Sequence, residues 1–213
     1  IRCGDANVVV AGGMENMSLS PYYLMDARDG MRLGHKKTLD AIIQDGLWDP
    51  YGDMHMGNCA EVLAKEEKFS REEQDAFAVE SYRRSIEAIE KGYFSDEITT
   101  VEIPQRKGDP IIVALDEEPG RGKLDKIAKL RTAFEKDGTI TAANASSIND
   151  GAAALVVMSA ERAAELNSNP ICKIVAQTSV AHEPLYFTTA PGKAITKVLD
   201  KTGHTINDID LFE

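Results

Sequence analysis

The segment Thr141-Ala-Ala-Asn-Ala-Ser-Ser-Ile-Asn-Asp-Gly-Ala-Ala153, running on into Ala154-Leu-Val-Val-Met158, decides how this 213-residue chain is read. Its first part gathers small and amide side chains with almost no charge. Gly151 and five alanines remove bulk, while Asn144, Ser146, Ser147 and Asn149 keep hydrogen-bonding groups available. Such a run lets backbone come close to something else. The residues alone leave two readings open: a tight turn before a buried strand, or a surface along which a thin ligand lies. The second part, 153–158, is a fully apolar strand. Ser159 then caps a helix ending near Asn167, and 171–179 reads as another strand. A helix over 190–202, stopped by Gly203, precedes a last strand at 210–212. Strands and helices that alternate, with the strands buried, indicate an α/β architecture.

Upstream, Asp5-Ala-Asn-Val-Val-Val-Ala-Gly-Gly13 reads as a short buried strand closed by paired glycines. Residues 14–150 interrupt the alternation and look like an insertion between two of its strands. The stretch 14–51 is irregular, with one helix predicted at 37–44; loops of that length are usually functional or interfacial. Asn58, three residues before Glu61, is read as the cap of a helix carrying Val62, Leu63 and Ala64. Ser70 and Glu73 form a capping box that opens a helix reaching Gly92, with Ala78, Val79, Tyr82, Ile86 and Ile89 at helical spacing. Strands are predicted at 98–103 and 111–115 around a Lys107-Gly-Asp109 turn, and a short basic helix at 124–130.

Composition narrows the function classes. With 43% hydrophobic and 28% charged residues the chain is that of an ordinary globular protein. A net charge of −11 disfavours nucleic acid as a partner. No apolar run approaches the roughly 20 residues of a membrane span. The chain opens on Ile1, and Ile209-Asp-Leu-Phe-Glu213 reads as a strand cut as it forms, so a piece of a longer protein is expected. Three dispersed cysteines, Cys3, Cys59 and Cys172, argue against a disulfide framework and for a reducing compartment. No spacing suits a metal site, and none is expected.

Against the acidic background, Arg121, Lys123, Lys126, Lys129 and Arg131 form a basic stretch. A solvated helix face is the plainer reading; a phosphate-bearing ligand is the other. His55 and Met56 precede a predicted helix start, where a histidine can donate hydrogen bonds and a methionine can line a ligand. A lone histidine is more often structural. Each cysteine is read as structural too: Cys3 lies in a lead-in segment, Cys172 inside a predicted strand, and Cys59, in an early helical turn, has only Asn58 and Ala60 beside it, neither of them a base. The residues themselves supply no complete catalytic constellation.

Three segments together resemble the thiolase family. Ala11-Gly-Gly-Met-Glu-Asn-Met-Ser18 is similar to its glycine-rich turn. His55-Met-Gly-Asn-Cys-Ala-Glu61, with Ser70-Arg-Glu-Glu-Gln-Asp-Ala-Phe-Ala78, is similar to the start of its loop domain. Asn144-Ala-Ser-Ser-Ile-Asn-Asp-Gly-Ala-Ala-Ala154 is similar to the signature beside its pantetheine tunnel. The resemblance runs through the whole chain in order. His55-Met-Gly57 has the form usual in the short-chain acetyl-CoA acetyltransferase subgroup.

The resemblance implies a layered αβαβα architecture with an inserted α+β loop domain, incomplete at both ends. It implies that 1–17 end the N-terminal half, 18–148 form the loop domain, 149–170 return to the first half, and 171–213 begin the C-terminal half. Residues near 20–35 match a tetramer-forming loop. The implied reaction is the reversible Claisen condensation of two acetyl-CoA molecules to acetoacetyl-CoA. The two catalytic cysteines, the histidine and an asparagine motif fall outside this chain, so the piece alone is expected to be inactive and to contain no catalytic residue. What it implies here is a binding wall: Leu47, His55, Met56, Phe134, Ala142, Ser146 and Ile148 along the pantetheine, with Arg121, Lys123 and Lys126 toward the phosphates. Ser146 is expected to hydrogen-bond the pantetheine amide. CoA thioesters are substrates, and no cofactor is expected. A homotetramer is implied, with no nucleic-acid or membrane partner, in the cytoplasm or alternatively the mitochondrial matrix. A degradative 3-ketoacyl-CoA thiolase and a non-catalytic thiolase-like CoA- or lipid-binding protein are the other readings.

Overall fold

A computed structural model describes residues 1–213. In chain order its elements are β1 (Val8–Asn16), β2 (Tyr22–Leu24), β3 (Thr38–Asp40), β4 (Trp48–Asp49), β5 (Met54–His55) and α1 (Met56–Glu66). There follow α2 (Arg71–Glu90), β6 (Val101–Ile103), β7 (Ile111–Val113), α3 (Glu118–Arg121), β8 (Asp150–Met158), α4 (Ala160–Glu165) and α5 (Ala190–Thr202). This is the mixed α/β content that the sequence pattern predicts. No helix is long and apolar enough to cross a membrane. The chain divides into two units, one of Ile1–Cys59 with Ser147–Glu213 and one of Ala60–Ser146.

In the first unit β1 and β8 pair antiparallel over their full lengths, from Val8 opposite Met158 to Asn16 opposite Asp150. The strand does not stop at Gly12-Gly13 but passes through them. A Cβ on Gly12 would lie 2.4 Å from the Ala153 carbonyl oxygen, so glycine is what lets the small-residue run close onto β1 there. The Ser18 N–H donates to Asp150 Oδ1 at 2.9 Å and closes the end of the ribbon. The expectation that both strands are buried is not met: Val10 is 72% exposed and Leu155 66%. Each strand has only the other as ladder partner, and a two-stranded ribbon shields neither of its own faces.

Three other expectations are corrected. The predicted helix at 37–44 is instead β3, paired with β2, followed by a π-helical turn at Ile42–Leu47. Its apolar spacing is split because Pro21 O takes the Ala41 N–H and Asp40 Oδ1 takes the Ile42 N–H. The predicted strands at 171–179 and 210–212 form no ladder. Carbonyls of the former are held by a helix instead: Lys197 Nζ donates to Ser179 O at 3.0 Å and Lys201 Nζ to Gln177 O at 3.1 Å, both from α5. The cap assigned to Asn58 also moves, since α1 already begins at Met56. α4 begins and α5 ends as predicted, with Ser159 Oγ accepting the Arg162 N–H and Gly203 turning at φ 71°.

In the second unit α2 is the element on which the others rest. Its capping box is complete: Ser70 Oγ accepts the Glu73 N–H at 3.2 Å, and Glu73 Oε2 accepts the Ser70 N–H at 2.8 Å. The predicted apolar stripe faces inward, with Ala78 buried and Tyr82 half-buried. α3 and the 3-10 turn Leu124–Lys129 lie along α2, burying Pro119 and Ile127. Tyr82 Oη donates to Glu118 Oε1 at 3.3 Å. β6 and β7 form the predicted antiparallel hairpin, its turn passing through Gly108 at φ 87°.

The capping box sets a test. Replacing Ser70 with alanine is expected to cost about 1 kcal/mol in chemical denaturation at neutral pH. The Ser70 N–H and hydroxyl hold the Glu73 carboxyl below its usual range. A depressed folded-state pKa stabilises above the ordinary carboxylate range, and that stabilisation is lost as pH falls through the lowered value. The advantage of the wild type over Glu73→Gln is therefore expected at neutral pH and to vanish in acid.

Candidate functional site

The small-residue run is anchored by one buried carboxylate. Glu61, on α1, is only 4% exposed. Its Oε1 accepts the Thr139 N–H at 2.9 Å and the Ile140 N–H at 2.8 Å. Its Oε2 accepts the Thr139 N–H at 2.9 Å and the Thr139 hydroxyl at 3.0 Å. Burying a carboxylate is tolerable when several donors replace water around it, as here. The fit requires Gly138, because a Cβ there would lie 2.3 Å from Glu61 Oε1. Sequence spacing assigned Glu61 to a helix cap; the structure makes it the acceptor for a turn 78 residues away.

From this anchor the chain folds into a closed turn. Thr141 is fully buried, and its N–H donates to Asn144 Oδ1 at 2.7 Å. Thr141 Oγ1 accepts the Ala143 N–H at 3.2 Å, and Thr141 O accepts the Ala145 N–H at 3.0 Å. Asn144 Nδ2 donates to Thr139 O at 3.1 Å and to Asp75 Oδ1 at 3.2 Å. These bonds satisfy the turn from within and leave Ala142 and Ser146 exposed. Phe134 is half-buried in the adjoining loop, tied on by the Ala133 N–H donating to Ile140 O at 2.8 Å.

The basic residues stand on the same unit. Arg121, Lys123 and Lys126 are exposed on α3 and the 3-10 turn. Arg121 forms an ion pair with Glu117 at 2.5 Å, an exposed pairing that contributes little and is readily exchanged for another anion. Arg71 and Asp75 join the two regions. Arg71 Nε donates to Asp75 Oδ2 at 2.7 Å, while its NH2 group donates to Ile127 O at 3.1 Å and Leu130 O at 2.9 Å. Both the basic turn and the Asn144 turn are thus fastened to the first turns of α2. Nothing in the sequence pattern singled out Arg71 or Asp75; their only signal was charge at i and i+4 on a helix with an apolar stripe.

The remaining predicted residues lie in the first unit. Leu47 ends the π-helical turn, half-buried; such turns are frequent at functional sites. His55 and Met56 are half-buried where β5 meets α1. His55 Nδ1 accepts the Gly57 N–H at 3.0 Å, so the ring caps the start of α1 and, when neutral, carries its proton on Nε2. Ile148 is 60% exposed beside β8. A shallow cavity of about 520 Å³ opens at the ribbon end around Met14, Glu15 and Asp150, but none of Leu47, His55, Met56 and Ile148 lines it. Cys59 is fully buried; burial, reinforced by the Asp49 charge, pushes its thiol up and away from thiolate chemistry.

Glu61→Gln would aim an amide N–H₂ group at some of these backbone donors. A loss of about 1–3 kcal/mol is expected in chemical denaturation, with Gly138→Ala also destabilising; wild-type midpoints for both would contradict the anchor.

Residues 1–161 match the thiolase N-terminal domain and 168–213 the thiolase C-terminal domain. An acetyl-CoA acetyltransferase from Pseudomonas aeruginosa is 50% identical over 214 residues, covering 100% of this chain and 54% of the relative. One from Yarrowia lipolytica is 49% identical over 213 residues, covering 100% and 53%. An acetyl-CoA acetyltransferase structure from Syntrophomonas wolfei superposes with a TM-score of 0.92 at 39% identity, covering 98% of this chain and 52% of that one. A thiolase from Ascaris suum, solved in complex with coenzyme A, gives 0.91 at 39%, covering 99% and 53%. The chain spans about half the length of the curated relatives it matches. By family match, sequence identity and fold alike, it belongs to the thiolase family.

Proposed function

We propose that the protein to which this chain belongs is an acetyl-CoA C-acetyltransferase. It would condense two acetyl-CoA molecules reversibly to acetoacetyl-CoA and CoA, with this chain contributing the coenzyme A wall. The observation that carries the reading is a rigid, internally satisfied turn presenting Ala142 and Ser146 on the unit that carries an exposed basic stretch. A long thioester with an amide-bearing arm and a phosphate-bearing end suits both. The Ascaris suum relative, solved with coenzyme A, and the acetyltransferase names of the close relatives support it.

The parts divide the work. Ser146 would hydrogen-bond the pantetheine amide, and Ala142, Phe134 and Ile148 would supply apolar contact. Leu47, Met56 and His55 would stand toward the acyl end. Lys123 and Lys126, with Arg121 once it leaves Glu117, would meet the phosphates. Cys59, fully buried with its thiol pushed up by burial, is given no catalytic role. A tetramer in the cytoplasm completes the proposal; three free cysteines fit a reducing compartment.

In the full-length protein, Ser146→Ala is expected to raise KM for acetoacetyl-CoA in thiolysis roughly three- to tenfold, the loss of one hydrogen bond. His55→Asn keeps a capping acceptor for α1, so its effect reports on the ligand rather than on the helix; it is expected to reduce kcat/KM with little change in melting temperature. Unchanged kinetics in both variants would refute the wall. Acyl-chain profiling separates this activity from that of a degradative 3-ketoacyl-CoA thiolase, which would favour longer chains. Absence of any thiolysis by the intact protein would favour the binding-only alternative.

A further inference from the structure

Asp75 is a buried carboxylate, 7% exposed, whose two oxygens face in different directions. Oδ2 receives Arg71, which in turn grips the carbonyls of Ile127 and Leu130 at the end of the basic 3-10 turn. Oδ1 receives Asn144, whose amide also holds Thr139 O and whose carbonyl holds the Thr141 N–H. One side chain therefore fixes both the segment bearing Lys126 and the turn bearing Ala142 and Ser146. A buried carboxylate shared between two donors is costly to disturb, and it tolerates little variation in the spacing of what it joins.

We propose that Asp75 is a positioning residue that sets the spacing between the 139–146 turn and the basic 124–130 turn. A thioester with both a pantetheine arm and a nucleotide end is then read at two places at once. This rests on the coenzyme A wall proposed above. The advantage of two-point binding depends on preorganisation: if the two turns drift relative to each other, each contact survives alone but the pair no longer fits one ligand.

The test uses two substrates in the full-length protein: acetoacetyl-CoA and the acetoacetyl thioester of pantetheine, which lacks the nucleotide. The readout is the ratio of their kcat/KM values. Asp75→Asn keeps the shape but leaves an N–H₂ facing a donor, and it is expected to lower the ratio roughly tenfold. A residue that merely supports the fold would lower both values together and leave the ratio unchanged, which would overturn the proposal. If Asp75→Asn does not fold, Arg71→Lys retains the charge pair but loses the fork onto Ile127 and Leu130; the ratio should again fall, and an unchanged ratio overturns the proposal. Two controls separate the layers. Lys126→Ala should lower the ratio, and Ser146→Ala should lower both values. If neither acts, the wall itself is wrong; if both act and Asp75→Asn leaves the ratio intact, only the positioning role fails.

Discussion

The Glu61 carboxylate and the two successive backbone N–H groups it accepts, from Thr139 and Ile140, form the constraint from which the binding turn follows. A carboxylate removed from water must find donors, and backbone amides are the donors that cannot move away. Meeting that demand forces Gly138 to have no side chain, places Thr141 in full burial, and leaves Asn144 to close the turn. The alanines and serines that follow can then be small and exposed without leaving the backbone loose. Rigidity comes from polar satisfaction beneath the surface, and the surface is free to be thin.

The same logic repeats one layer out. Asp75 and Arg71 connect that turn to the basic segment through hydrogen bonds to side-chain amide and main-chain carbonyl. Apolar burial in the second unit is modest, with Ala64, Ala78, Ile127 and Ile140 as its buried hydrophobic residues. Buried charged side chains thus carry much of the local specification, a use in which geometry counts for more than net stabilisation. The first unit is built differently: its long β1–β8 ribbon rests on main-chain pairing and on close approach at Gly12.

Sequence reasoning captured the features that are local. The Ser70–Glu73 box, the α2 stripe, the Ser159 cap and the Gly203 stop are all set by residues within four positions of one another. It failed where the partner is distant or missing. Residues 171–179 have strand composition, yet a strand exists only when a neighbour supplies a ladder, and α5 lysines hold those carbonyls instead. The helix predicted at 37–44 lost to pairing between β2 and β3. In the candidate site, the small-residue run and the basic stretch were visible as composition, and the family resemblance named Ser146. Glu61 and Asp75 were invisible because a buried carboxylate on an amphipathic helix looks like any solvated one until its partners, 69 to 79 residues away, are in place.

Amide hydrogen exchange of the full-length protein, with and without saturating coenzyme A, tests the central claim most directly: the turn is held rigid from beneath and presents its outer residues to the ligand. The Thr139 and Ile140 amides are expected to exchange slowly even without ligand, and residues 142–146 are expected to gain protection when coenzyme A binds. Fast exchange at Thr139 and Ile140 in the free protein, or no change at 142–146 on saturation, would contradict it.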